Sequence, residues 1–168
     1  MIELAIITVL ALLPISNPFS TVPLFLSLTR GHPDIWARQQ ALRACFFMAG
    51  ILLIFFWSGA LIIEFFGISI PAIRVAGGII IMRVGFSMLS PAEPTVDSIT
   101  PEAKKEARKQ SDVAFTPLAM PSLSGPGSIS VVTTMAASTD DFFGYLAISA
   151  GILVVVSIAW LAMRSAGM

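Results

Sequence analysis

Charge is scarce in this sequence. Asp, Glu, Lys and Arg make up 12% of its 168 residues and cancel to a formal net charge of zero. A soluble domain usually carries about twice that charged fraction, and a chain with no basic excess lacks the electrostatic footprint of a nucleic-acid binder. There is one cysteine, Cys45, so no intrachain disulfide can form. It lies beside an apolar run and reads as a packing residue. The one histidine, His32, sits in a turn-like stretch. No His/Cys metal spacing, phosphate loop or nucleophile–base arrangement is present, so an enzyme is not expected and no cofactor is implied.

What is abundant is apolar sequence, 56% of the chain. No charge interrupts the runs Leu4 to Thr29, Ala44 to Ile63, Val113 to Thr139 and Phe142 to Met163. Each reaches the roughly 20 residues that carry a helix across about 30 Å of hydrocarbon. A fifth run, Phe65 to Ser90, holds only Arg74 and Arg83. The expectation is an all-α polytopic membrane protein of about five transmembrane helices. The first run has Glu3 in place of a basic start, is too long, and is interrupted by Pro and Asn, so it reads as a retained helix rather than a cleaved signal.

The polar connections alternate in character. The segment Thr29 to Arg43, opened by Arg30-Gly31-His32-Pro33-Asp34, holds Arg30, Arg38 and Arg43, and the long segment 90–112 holds Lys104, Lys105, Arg108 and Lys109. The connections at Gly67 to Ser69 and Ser138 to Asp141 hold no basic residue. Basic loops stay in the cytoplasm, which places 29–43 and 90–112 inside and the N-terminus outside. The expected organisation is a three-helix unit over 1–90, a cytoplasmic loop over 91–112 and a two-helix unit over 113–168.

Two segments align without a gap: Ser16-Asn17-Pro18-Phe19-Ser20 and Ser124-Gly125-Pro126-Gly127-Ser128. Each lies near the middle of its run, and the runs are three spans apart, so they cross in opposite directions. That is the pattern of an inverted three-plus-three repeat, here lacking its sixth helix. Proline removes a backbone donor at a cost of about 3 kcal/mol inside a helix, and lipid offers no water to the carbonyls it frees. Two such breaks at matched depth favour a shared centre over two unrelated kinks. Asn17 before Pro18, and Ser124-Gly125 before Pro126, read as caps followed by first helical positions. Each span then becomes two half-helices, with the positive N-terminal ends of two of them aimed at the protein centre. Such a centre suits a small carboxylate. Asn17, Pro18, Gly125, Pro126 and Gly127 shape it, and Ser20, Ser128 and Thr133 are candidates to line it. Ser130, Thr133 and Thr134 share a helical face, where they can equally bond neighbouring helices. Arg74 and Glu64 are expected to pair across the tight connection in a structural or gating role. Gly77 and Gly78 mark close helix packing.

Three blocks resemble the MarC family of bacterial inner-membrane proteins: Leu13-Pro14-Ile-Ser-Asn17-Pro18, Phe65 through Gly77-Gly78, and Pro117 through Gly125-Pro126-Gly127. They occur in order across nearly the whole chain. The resemblance implies a six-helix inner-membrane protein, so that a sixth helix is missing here. It also implies, from relatives that look like transporters of small neutral amino acids, a secondary transporter or exporter of a small zwitterionic solute. The family takes its name from multiple antibiotic resistance. The expected partners are the bilayer and the solute, and a homo-oligomer is compatible with the sequence. The competing expectation is a non-transporting membrane protein that acts through partners or assembly and has a packed centre.

Overall fold

A computed structural model describes residues 2–67, 69–89 and 112–166. The described residues are helical, with no strand among them. Helix α1 (Ile2–Ser16) is followed after one residue by α2 (Pro18–Thr29), and the two axes are bent by 44°. Helix α3 covers Asp34–Phe65 and α4 covers Ile70–Leu89. An irregular, widely wound segment, Ala114–Leu123, leads into α5 (Pro126–Ala137), and α6 (Phe142–Ala166) closes the described chain. Asp34–Gly59 and Phe142–Ala166 are each long and apolar enough to cross a membrane, and the bent α1–α2 pair makes a third candidate.

Two expectations need correction. Residues 34–43 are not loop: α3 begins at Asp34, ten residues before the expected span. Pro33 stands at its N-cap, Asp34 places a negative charge on the positive helix end, and Gln40, Ala41, Ala44 and Cys45 already bury one face. The first half of the fourth span is not a regular half-helix either. Pro117 and Pro121 lie four residues apart, and the residues before them, Thr116 and Met120, are extended, as the proline ring requires of its predecessor. Both X–Pro bonds are cis. The expected cytoplasmic loop lies, up to residue 111, outside the described residues.

The core is a seam through α3 and α6. On α6 the buried positions are Gly144, Ala147, Ile148, Gly151, Ile152, Val155, Ala159 and Met163, a stripe of helical period. Helix α3 contributes Met48, Leu52 and Phe56. Helix α1 packs on α6, α2 on α6 and the wound segment, α5 between α3 and α4. Outside this seam, large apolar side chains such as Leu10, Phe46, Ile54 and Phe86 stand exposed, which suits a lipid surround rather than water.

Contacts along the seam fix chain directions. Trp57 Nε1 donates to Ser149 Oγ at 3.2 Å, while Arg38 shares a cleft with Trp160 and Arg164, so α3 and α6 are antiparallel. The α1–α2 pair runs from Thr8 beside Gly151 to Phe25 in that same cleft. Residues 113–137 run the other way. The Val113 N–H donates to the buried Gln40 Oε1 at 3.1 Å near the cleft, and the Tyr145 hydroxyl donates to Ala136 O at 3.2 Å at the far end. The two proline-broken segments therefore lie side by side in opposite directions.

Candidate functional site

Both breaks reach the same place. Ser16, the last residue of α1, lies with its Oγ 3.2 Å from Ser128 Oγ in the third position of α5, and both residues are buried. One chain position from Ser128, a Cβ added to Gly127 would lie 2.9 Å from Ile15 Cγ2. The first break thus packs directly on the second, across 112 residues of sequence.

The first break is built by Asn17. It adopts the left-handed conformation, φ 35° and ψ 64°, and its Oδ1 accepts from the Ser20 N–H at 3.3 Å. It caps α2, with Pro18 at the first helical position where a missing N–H costs nothing. Asn is among the few non-glycine residues that visit this conformation readily. Ser20 Oγ turns back to donate to Asn17 O at 2.9 Å. At the second break Gly125 is the cap, in extended conformation and with no side chain to offer. The first intrahelical bond of α5 runs from the Ile129 N–H to Gly125 O at 3.1 Å. The N–H groups ahead of it belong to the unpaired first turn that every helix has. Gly125 is also tight: an added Cβ would meet Pro121 O at 3.0 Å.

Ser124, which the sequence offers only as an aligned serine in the second cap and not as a substrate-lining residue, is the most unusual group here. Its hydroxyl is fully buried and finds no hydrogen-bond partner among the described residues, while its N–H donates to Ala119 O at 2.9 Å. The alignment of the two breaks makes Ser124 the counterpart of Ser16, and Ser20 the counterpart of Ser128. One cross-pair, Ser16 with Ser128, is closed. Ser20 is turned onto its own backbone, and Ser124 has no partner among the described residues. A buried hydroxyl without a partner costs about 1–3 kcal/mol, and an incoming polar ligand would relieve it.

The remaining predicted residues lie elsewhere. Thr133 faces α3: a Cβ on Gly59 would meet Thr133 Cα at 3.2 Å and its Cγ2 at 3.3 Å. Thr134 Oγ1 donates to Ser130 O at 2.8 Å within α5, and Ser130 Oγ sits in the space a Cβ on Gly77 would need. Gly77 is buried at the α4–α5 seam, whereas Gly78 is exposed with nothing within 4 Å of an added Cβ. Glu64 is exposed at the end of α3. The Arg74 side chain lies outside the described residues, and so does the expected Glu64–Arg74 pair. No cluster of three metal-ligating side chains occurs among the described residues.

A sequence model of the family described as "MarC family integral membrane protein" matches residues 2–168. The chain belongs to the MarC family. It is similar to the inner membrane protein MarC of Escherichia coli K12, at 37% identity over 93% of this chain and 75% of that protein. The MarC proteins of E. coli strains SMS-3-5 and CFT073 match at the same identity and coverage. No solved structure matches the chain. Membership places this chain with inner-membrane proteins, which agrees with its apolar helices and its outward-facing Leu, Ile and Phe side chains.

Proposed function

We propose that this MarC-family chain is a secondary transporter of a small zwitterionic solute of the neutral amino acid kind, with its site where the two broken spans meet. In this reading the chain crosses the membrane five times, α4 and the divided segment 113–137 completing the set. Its first three spans and last two are related as inverted repeats, with the N-terminus outside. The observation that carries it is the buried Ser124 hydroxyl, without a partner among the described residues, two positions before the α5 helix that meets the α1–α2 break through Ser128 and Ser16. The helix ends offer N–H groups and partial positive charge to a carboxylate. The wound segment leaves carbonyls without the donors that Pro117 and Pro121 removed, and these suit an ammonium group. Separation of the Ser16–Ser128 pair gives access.

The competing reading, a non-transporting protein that works through partners, draws on the tightness of the same centre: Ser16 is bonded to Ser128, and Gly127 is pressed on Ile15. Ligand-dependent thermal unfolding of the purified chain separates the two. A solute at a hundred times its Kd adds about 2.7 kcal/mol to the folded state. The expected result is a rise in Tm with a few small neutral amino acids, abolished in Asn17→Ala and partly kept in Asn17→Gly. Glycine accepts the positive φ and loses only a few tenths of a kcal/mol of capping, whereas alanine loses both, about 2 kcal/mol together. Silence across the amino acid panel, in a chain that unfolds cooperatively, overturns the transport reading and favours the partner reading.

A further inference from the structure

The end of the bundle where α3 begins and α6 finishes carries Arg38, Arg43 and Arg164. There α2 finishes, α3 begins and α6 finishes, and between them opens a cleft of about 400 Å³. Its lining is largely apolar, with Phe25 and Met163 buried and Leu42 exposed at its edge. Its rim carries Arg38 from the start of α3 and Arg164 from the last turn of α6. The Arg164 guanidinium carbon lies 4.9 Å from the ring centroid of Trp160, which also lines the cleft. Stacking of this kind holds the cation in place over an aromatic face. The nearby Arg43 is already engaged, its Nη1 3.1 Å from Asp112 Oδ2, but neither Arg38 nor Arg164 forms an ion pair among the described residues. Asp34 is the one acid of the rim, so two guanidiniums against one carboxylate leave a net charge of +1 there.

Two cations above an apolar slot match a ligand with an anionic head and a hydrocarbon tail. Arginine forks around phosphate oxygens, tryptophan favours the headgroup level of a bilayer, and basic pockets between membrane helices hold anionic headgroups. We propose that this cleft is a binding site for an anionic glycerophospholipid of the surrounding bilayer. Its phosphate lies between Arg38 and Arg164, and an acyl chain runs along Phe25, Leu42 and Met163. The net positive rim disfavours a choline headgroup, whose own cation would face it. The proposal is independent of transport and requires only that this end of α3 and α6 lie at a membrane surface.

The test compares the full chain in nanodiscs of phosphatidylcholine with and without phosphatidylglycerol. Phosphatidylglycerol should raise Tm. The double variant Arg38→Gln/Arg164→Gln should remove that rise, with apparent affinity roughly thirtyfold weaker, the fold-change two arginines near an anionic surface carry. Arg30→Gln, outside the cleft, should keep it. A second readout needs no altered arginine. Phosphatidylglycerol with brominated acyl chains should quench the protein's tryptophan fluorescence more than brominated phosphatidylcholine does, and Trp160→Phe should erase the difference. Equal effects of the two lipids on the unaltered chain, or a Tm rise that survives in the double arginine variant, overturn the proposal.

Discussion

Replacing Gly127 with leucine is expected to abolish solute movement and to lower the melting temperature of the purified protein. Even a Cβ at this position would come within 2.9 Å of Ile15 Cγ2. That methyl sits on a β-branched carbon and has little freedom to move aside. A leucine must drive α1 away from α5, which separates Ser16 from Ser128 and dissolves the junction of the two breaks. Overpacking of this kind costs about 1–3 kcal/mol. Flux should fall further than stability does, because the substitution enters the proposed site itself. The checks are counterflow of a labelled small amino acid in proteoliposomes and thermal unfolding in detergent, at matched protein levels. Unchanged flux would remove the junction from the transport path.

The second large effect concerns packing alone. Gly151→Ala should destabilise the fold although it adds one methyl group. The new Cβ would lie 2.7 Å from Thr8 Cβ and 2.9 Å from Ala5 O, and a backbone carbonyl in mid-helix cannot step aside without moving α1. Alanine in place of glycine ordinarily favours a helix by up to about 1 kcal/mol, so the sign of the result is informative. Gly50→Ala in α3 is the control, because nothing lies within 4 Å of its added Cβ. The expectation is a lower Tm for Gly151→Ala and an equal or higher one for Gly50→Ala. Equal behaviour of the two would mean that α1 and α6 do not meet as closely as described.

Legibility in the sequence tracked how local each signal was. The α1–α2 break could be read because Asn17-Pro18 states a cap and a first turn within two residues, and the structure places that cap where expected. Counting apolar runs predicts that the two broken segments run in opposite directions, and side by side in the structure they do. The early start of α3 was hidden because Arg38 and Arg43 suggested a loop, while the burial of Gln40 and Ala41 that holds this turn in place depends on the distant residues 113–114 and α6. The irregular winding of 114–123 was signalled by Pro117 and Pro121, but prolines four apart announce disruption without announcing its form.

The centre itself was legible only in part. Ser128 was singled out for its place after Pro126, and it does lie at the junction. Its partner Ser16 and the buried Ser124 were visible as aligned serines, but nothing in the sequence says that Ser16 meets Ser128 rather than Ser124. Crossing segments bring together residues on opposite sides of each break, and that is a tertiary fact. Thr133 shows the converse. Its spacing from Ser130 is helical, yet its methyl and backbone fill the seam against Gly59 instead of facing the break.

The two broken segments meet at Ser16 and Ser128, and the proposed transport requires them to part there. The most direct measurement is oxidative cross-linking of Ser16→Cys/Ser128→Cys in a Cys45→Ala background, in membranes, followed by counterflow. Oxygen atoms 3.2 Å apart put sulfurs at the same positions within reach of a bond. Rapid disulfide formation is expected, slowed by a bound small neutral amino acid, with counterflow lost on oxidation and restored by reductant. Failure of the two cysteines to join, or full counterflow through the cross-linked protein, would contradict this reading.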